Sequence, residues 1–180
     1  LGVGAVLLQS YRLVPPDSPL LVETSRVEGG SAPVGTARLV VPVEGVRAAQ
    51  LVDTFTQARD GGARVHDAID ILAPRGTPVV AAAPGRIEKL FVSKAGGNTI
   101  YQRSADGGLV FYYAHLDTYA AGLAAGQAVR AGQRIATVGS TGNADPAAPH
   151  LHFAVLRTRP GAKWHEAATP LNPYPLLGGR

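Results

Sequence analysis

The chain has 180 residues, 46% hydrophobic and 17% charged, which is enough for one core and too few for two of comfortable size. Its net charge of +4 comes from scattered Lys and Arg with no stacking-aromatic array between them, an arrangement that argues against a nucleic-acid partner. Cysteine is absent, which excludes a disulfide framework and a thiolate metal site; any metal must be held by His, Asp or Glu.

Read from the start, "LGVGAVLLQSYRLVPP" opens with eight apolar residues, far short of the ~20 that span a bilayer. Methionine is absent throughout, so we expect a processed or trimmed piece whose first residues are the end of a signal or membrane-anchor segment. From Val14 to Thr36 the text is rich in Pro, Gly and Ser with little periodicity, which reads as a tail. The expected division is a tail over residues 1–38 and a folded domain over residues 39–180.

Within that domain, short runs rich in Val, Ile and Tyr alternate with Gly-containing breaks, the pattern of a mostly β, antiparallel protein. Strands are expected over Pro78–Ala83, Gly85–Val92, Asn98–Arg103, Leu109–His115, Arg134–Gly139 and His150–Leu156. Lys94–Gly97 and Ala105–Gly108 are the turns between the central ones, the second carrying an Asp-Gly hairpin signal. Thr118–Ala125 alone is expected to be a short helix. "GTPVVAAAPGRI" (Gly76–Ile87) and "GQAVRAGQRIATVG" (Gly126–Gly139) share a Gly, Val, Gly, Ile order that suggests a duplicated strand-turn-strand unit of lipoyl type.

Four of the five histidines fall in three short motifs. In "PHLHF", His150 and His152 lie two apart, so on a strand they share one face while Leu151 and Phe153 point to the core. In "VHDAIDILAP", His66 and Asp70 are four apart and their flanks look extended. Four extended residues span about 13 Å, whereas two donors on one zinc lie within about 4 Å of each other. Joint ligation therefore requires a bend at Asp67–Ala68. The third motif, "FYYAHLD", sets His115 at the exit of an aromatic strand, where the sequence alone admits a packed or capping role as readily as a catalytic one. His165, in "AKWHEA", reads as a surface residue.

Together with "GGNTIYQ", "GQAVRAGQRIATVGSTGNA" and "LNPYPLL", these motifs resemble, in order and spacing, the lysostaphin and LytM-type zinc metallopeptidases over about Phe55 to Leu177. The resemblance implies an antiparallel β-sandwich with a groove over its main sheet and few short helices. It implies one zinc per chain, ligated by His66, Asp70 and His152, with His115 and His150 as unliganded catalytic histidines. Three ligands would leave a fourth position open, the mark of a catalytic site. Two departures stand out: Ala68 where the family usually has Gly, and Ala154 where it commonly has Glu.

The implied activity is hydrolysis of peptide cross-links in bacterial peptidoglycan, with stem peptides as substrate and D-alanyl to diaminopimelyl bonds preferred. A monomer is expected in the cell envelope, periplasmic and anchored to the inner membrane, with secretion as second choice. The competing expectation is a family member without enzymatic activity that binds peptidoglycan or activates a cell-wall amidase.

Overall fold

The computed structural model describes residues 39–59, 61 and 64–180, and the expected tail over residues 1–38 lies outside them. A small hairpin, β1 (Ala58–Arg59) with β2 (Arg64–Val65), precedes a nine-stranded antiparallel sheet. Its strands are β3 (Ile69–Leu72), β4 (Pro78–Val80), β5 (Gly85–Ser93), β6 (Gly97–Ser104), β7 (Leu109–Tyr119), β8 (Ala128–Val129), β9 (Arg134–Val138), β10 (His150–Arg157) and β11 (Thr169–Leu171). The main path runs β11-β10-β7-β6-β5-β8, with β3 also on β10 and β9 joining β7 to β4.

Strand periodicity divides the side chains. On β10, Leu151, Phe153 and Val155 are fully buried; so are Phe111 and Tyr113 on β7 and Ile100 and Gln102 on β6. All of these but Gln102 meet Val79, Ile135 and Val138 of β4 and β9 in one apolar core. A buried polar chain ties the two parts together: the Ala82 amide donates to Tyr113 Oη (2.9 Å), Tyr113 donates to Gln102 Oε1 (2.7 Å), and Gln102 Nε2 donates to the Ala83 carbonyl (2.7 Å). Each buried polar group in it thereby keeps a partner.

The two similar sequence segments become β4-turn-β5 and β8-turn-β9, and they exchange partners: β4 pairs with β9 and β5 with β8. Their opening glycines, Gly76 and Gly126, both sit at positive φ (+85° and +86°), a conformation that favours glycine.

The expected strands all occur, shifted by a few residues at their ends. The expected helix at Thr118–Ala125 does not: Thr118 and Tyr119 continue β7, where Tyr119 pairs with Ala136 of β9, and Gly122 at φ +74° then turns the chain. Pairing to β9 outweighs a weak local helical preference. The short helix lies instead at Pro173–Leu176 (α1), with Pro at its start and the Asn172 side chain accepting from the Tyr174 amide (2.9 Å).

Candidate active site

One stretch of the sheet collects the histidines. Asp70 on β3 pairs directly with His152 on β10, and Leu72 pairs with His150, so the shared face of His150 and His152 faces Asp70 across the strand gap. His66 precedes β3, where its amide donates to Gln57 and that of Asp67 donates to Phe55. The turn back toward the sheet is at Asp67, whose φ is +56°. Ala68 is not among the positive-φ residues and is fully buried, so the Gly-to-Ala departure leaves the bend untouched.

His115 reaches the same face by a different device. Along β7, positions 111 and 113 point to the core, and strict alternation would send residue 115 there too. Between the pairs Ile100 with Tyr113 and Asn98 with Leu116, however, β6 spends one residue and β7 spends two. The extra residue is a bulge, and His115 sits in it at φ +59°, re-aimed toward His150 and His152 with ring centroids 5.0 and 5.7 Å away. A positive φ on a non-glycine residue is held only where the surroundings fix it. Here the His115 amide donates to the Gly96 carbonyl (2.8 Å), and the loop 139–143 closes over the turn at Gly96–Gly97. A Cβ on Gly97 or Gly142 would lie within 2.5 Å of that facing backbone, so both positions must be bare.

Three donor atoms converge. His66 Nε2 lies 3.0 Å from His152 Nδ1 and 3.0 Å from Asp70 Oδ1, and His152 Nδ1 lies 3.1 Å from Asp70 Oδ1. Neighbouring donors on a tetrahedral zinc at ~2.0–2.2 Å sit about 3.3–3.5 Å apart, so the triangle is within a few tenths of an ångström of that spacing. Its hydrogen bonding points the same way. His66 Nδ1 donates to the Thr54 carbonyl (3.0 Å), which leaves Nε2 as a lone pair in the neutral ring, aimed at a carboxylate oxygen. A proton or a cation between the two makes that approach favourable. The residues present fit a zinc ion held by His66, Asp70 and His152.

The surroundings set the charges. Burial raises the Asp70 carboxyl, but the His152 and His66 rings within 3.1 Å of its Oδ1 outweigh it and hold the group well below the usual carboxylate range. Burial lowers His152 and His115 from the ordinary histidine value, keeping both neutral, although the Asp70 contact opposes this at His152 and the Thr141 contact at His115. His115 Nδ1 donates to the Thr141 carbonyl (2.8 Å) and His150 Nδ1 to the Ala148 carbonyl (2.9 Å). Those Nδ1 contacts leave Nε2 of each ring turned away from its backbone partner, and that of His150 is 3.8 Å from Asp70 Oδ1.

All five candidate residues thus come together, while His165 is exposed and packs on Trp164. The sequence reading missed several residues around them. Thr54 supports both ends of the first motif, its carbonyl accepting from His66 and its hydroxyl from the Asp70 amide (3.1 Å). Thr141 holds His115 through its carbonyl, while its hydroxyl donates to Leu116 and accepts from the Asn98 amide. Tyr112 lies edge-on to His152 at 6.0 Å. Tyr112 had a legible signal, the alternation of "FYYAH"; Thr54 lies outside every motif.

The family model of peptidase family M23 matches residues 64–172, a span that contains every one of these side chains except Thr54. The chain belongs to peptidase family M23. Over 130 residues it is 35% identical to an L-Ala--D-Glu endopeptidase of Bacillus subtilis (strain 168), covering 69% of this chain and 38% of that protein. Over 92 residues it is 44% identical to the DD-carboxypeptidase/endopeptidase Mpg of Neisseria meningitidis serogroup B (strain ATCC 13091 / M2091), covering 50% of this chain and 20% of that protein. It therefore spans well under half the length of these curated relatives. Among solved structures, the catalytic domain of lysostaphin from Staphylococcus simulans superposes with a TM-score of 0.56 at 33% identity, covering 71% of this chain and 88% of that one. The M23 fold is the antiparallel sheet seen here, so the resemblance read from the motifs holds.

Proposed function

We propose that this M23 chain is a zinc-dependent endopeptidase that hydrolyses peptide cross-links of bacterial peptidoglycan. The observation that carries the reading is the meeting of three donor atoms 3.0–3.1 Å apart with two more imidazoles, the His115 ring lying 5.0 Å from His150 and 5.7 Å from His152. A zinc ion held by His66, Asp70 and His152 would supply Lewis-acid chemistry, polarising a peptide carbonyl and making a water nucleophilic near neutral pH.

The chain's own residues then handle protons. His150, on the more open side, accepts the proton of the attacking water at Nε2, its ring held by the Ala148 carbonyl. His115, buried and kept neutral, is oriented by Thr141 to exchange a proton at Nε2 with the oxygen or the leaving amine of the split bond. Nothing about the ring geometry prevents the two from trading roles. Asp70 stays ionised and contributes the negative charge that favours a cation at the site.

A D-alanyl to diaminopimelyl bond is the preferred target, supported by the Neisseria relative described as a DD-carboxypeptidase/endopeptidase. We place the protein in the cell envelope as a monomer. Among the described residues no helix is long and apolar enough to cross a membrane. Digestion of purified sacculi from different wall types, with released fragments identified by mass, tests the reading. New amino termini at diaminopimelate support it; intact sacculi in the presence of one bound zinc per chain would refute it and leave the amidase-activator reading standing.

A further inference from the structure

The groove face of the sheet carries an aromatic row that the catalytic residues do not use. Ala154 on β10 pairs with Tyr112 on β7, Tyr112 with Tyr101 on β6, and Tyr101 with Lys89 on β5, so these four side chains form one rung across four strands. The rings touch in sequence: Tyr101 lies 4.8 Å from Tyr112, and Trp164 lies 4.9 Å from Tyr101 and 5.3 Å from Phe91. Lys89 Nζ stands 6.0 Å over the Trp164 ring. The row starts beside His152, which Tyr112 meets edge-on.

Trp164 comes from the segment between β10 and β11, and that segment is pinned to the sheet. Arg103 donates to the Ala162 carbonyl (2.7 Å) while its guanidinium grips Glu88 (2.7 and 2.9 Å), and the Thr158 amide donates to the Gly108 carbonyl. The indole is therefore a fixed platform. Arg103 has its countercharge in Glu88, whereas Lys89 has no carboxylate within ion-pair distance among the described residues. A cation beside a rigid, half-buried aromatic face suits a ligand group that is both anionic and carried on an aliphatic stem.

We propose that Lys89 and Trp164 form a subsite for a carboxylate-bearing residue of the substrate peptide, Lys89 meeting the carboxylate and Trp164 with Tyr101 packing its aliphatic part. The inference rests on the peptidase reading above and deepens it. Three strand spacings of ~4.8 Å put Lys89 about 14 Å from Ala154 along the rung, and about 16 Å from His152 two residues away on β10, the reach of about five extended residues. A stem peptide carrying glutamate and diaminopimelate has carboxylates at that range from a bond under attack.

The test uses two cross-linked peptide dimers freed of glycan, one with its stem carboxylates and one with them converted to carboxamides, and compares KM and kcat for the wild-type chain and for Lys89→Gln, Lys89→Arg and Trp164→Leu. Wild type should show a KM about five- to tenfold lower for the carboxylate form, with the difference in KM rather than kcat. Lys89→Gln should abolish that preference and Lys89→Arg should keep most of it; Trp164→Leu should raise KM for both forms. A preference that survives Lys89→Gln overturns the proposal, as does a Trp164→Leu variant that leaves KM for both free dimers unchanged but slows cleavage of intact sacculi, which would assign the platform to sugar. A wild-type chain that cleaves neither dimer nor intact sacculi overturns the peptidase reading itself and this inference with it.

Discussion

Thr54→Val isolates how much of the affinity for the proposed zinc comes from outside its three proposed ligands. The change keeps the shape and the backbone carbonyl that orients His66, and removes only the hydroxyl that accepts the Asp70 amide at 3.1 Å. That amide is part-buried, and leaving it without its acceptor costs about 1–2 kcal/mol. If the cost appears as loss of the ligating position of Asp70, zinc binding weakens by about 5- to 30-fold, overlapping the lower part of the ~10- to 100-fold range usual for groups that support metal ligands. Competition against a chelating dye at pH 7 measures it directly, with no need for turnover. Thr54→Ser restores the hydroxyl and should bind within about twofold of wild type. The reasoning is refuted if Thr54→Val binds zinc as wild type does, or if Thr54→Ser falls as far as Thr54→Val.

Three further outcomes follow from the geometry. His152→Ala should lose both zinc and activity, whereas His150→Ala should keep zinc and fold but lose roughly 10²–10⁴ in rate; metal content and cross-link cleavage measured on both variants check this, and a reversed pattern would exchange the two assignments. Tyr113→Phe leaves the Ala82 amide and Gln102 Oε1 short of a partner inside the core, so urea denaturation should show a loss of about 2–4 kcal/mol with an unchanged m-value. Burial holds His115 and His152 below the ordinary value of ~6.5, so beneath that pH the unfolded chain takes up protons that the folded chain does not. The metal-free protein should keep its full stability above about pH 6.5 and lose it as pH falls through the window below, with Asp70 adding to the loss under about pH 4; a urea midpoint that is flat from pH 7.5 to 5 would contradict this.

How far the site could be read from the sequence depended on whether alternation alone placed a residue. His150 and His152 needed only the period of two, and Leu151 and Phe153 are buried as that period requires. The bend between His66 and Asp70 followed from a distance argument, and Asp67 supplies it. His115 could not be placed in this way, because alternation from Phe111 and Tyr113 points it into the core. The helix expected over Thr118–Ala125 failed for a related reason: the length of β7 is decided by its partner β9, which lies far along the chain. Thr54 and Trp164 were illegible because each meets the site through a tertiary contact that carries no local pattern.

Among the described residues two non-glycine positions have positive φ, Asp67 and His115, and they explain why the site lies where it does. Each sits beside a candidate functional side chain or is one; Asp67 turns the chain ahead of β3, and His115 breaks the alternation of β7 by one step. Without the first, His66 would run on away from Asp70; without the second, His115 would face Phe153 and the core. The strain of such conformations is offset only if neighbours fix them, and both have fixed neighbours: the Asp67 amide on Phe55, and the His115 amide on Gly96 beneath the bare backbones of Gly97 and Gly142. The glycine-rich "AGGN" and "GSTGN" segments, more than 40 residues apart in sequence, are therefore one device. They close on each other so that one imidazole can leave the core face and stand beside two others.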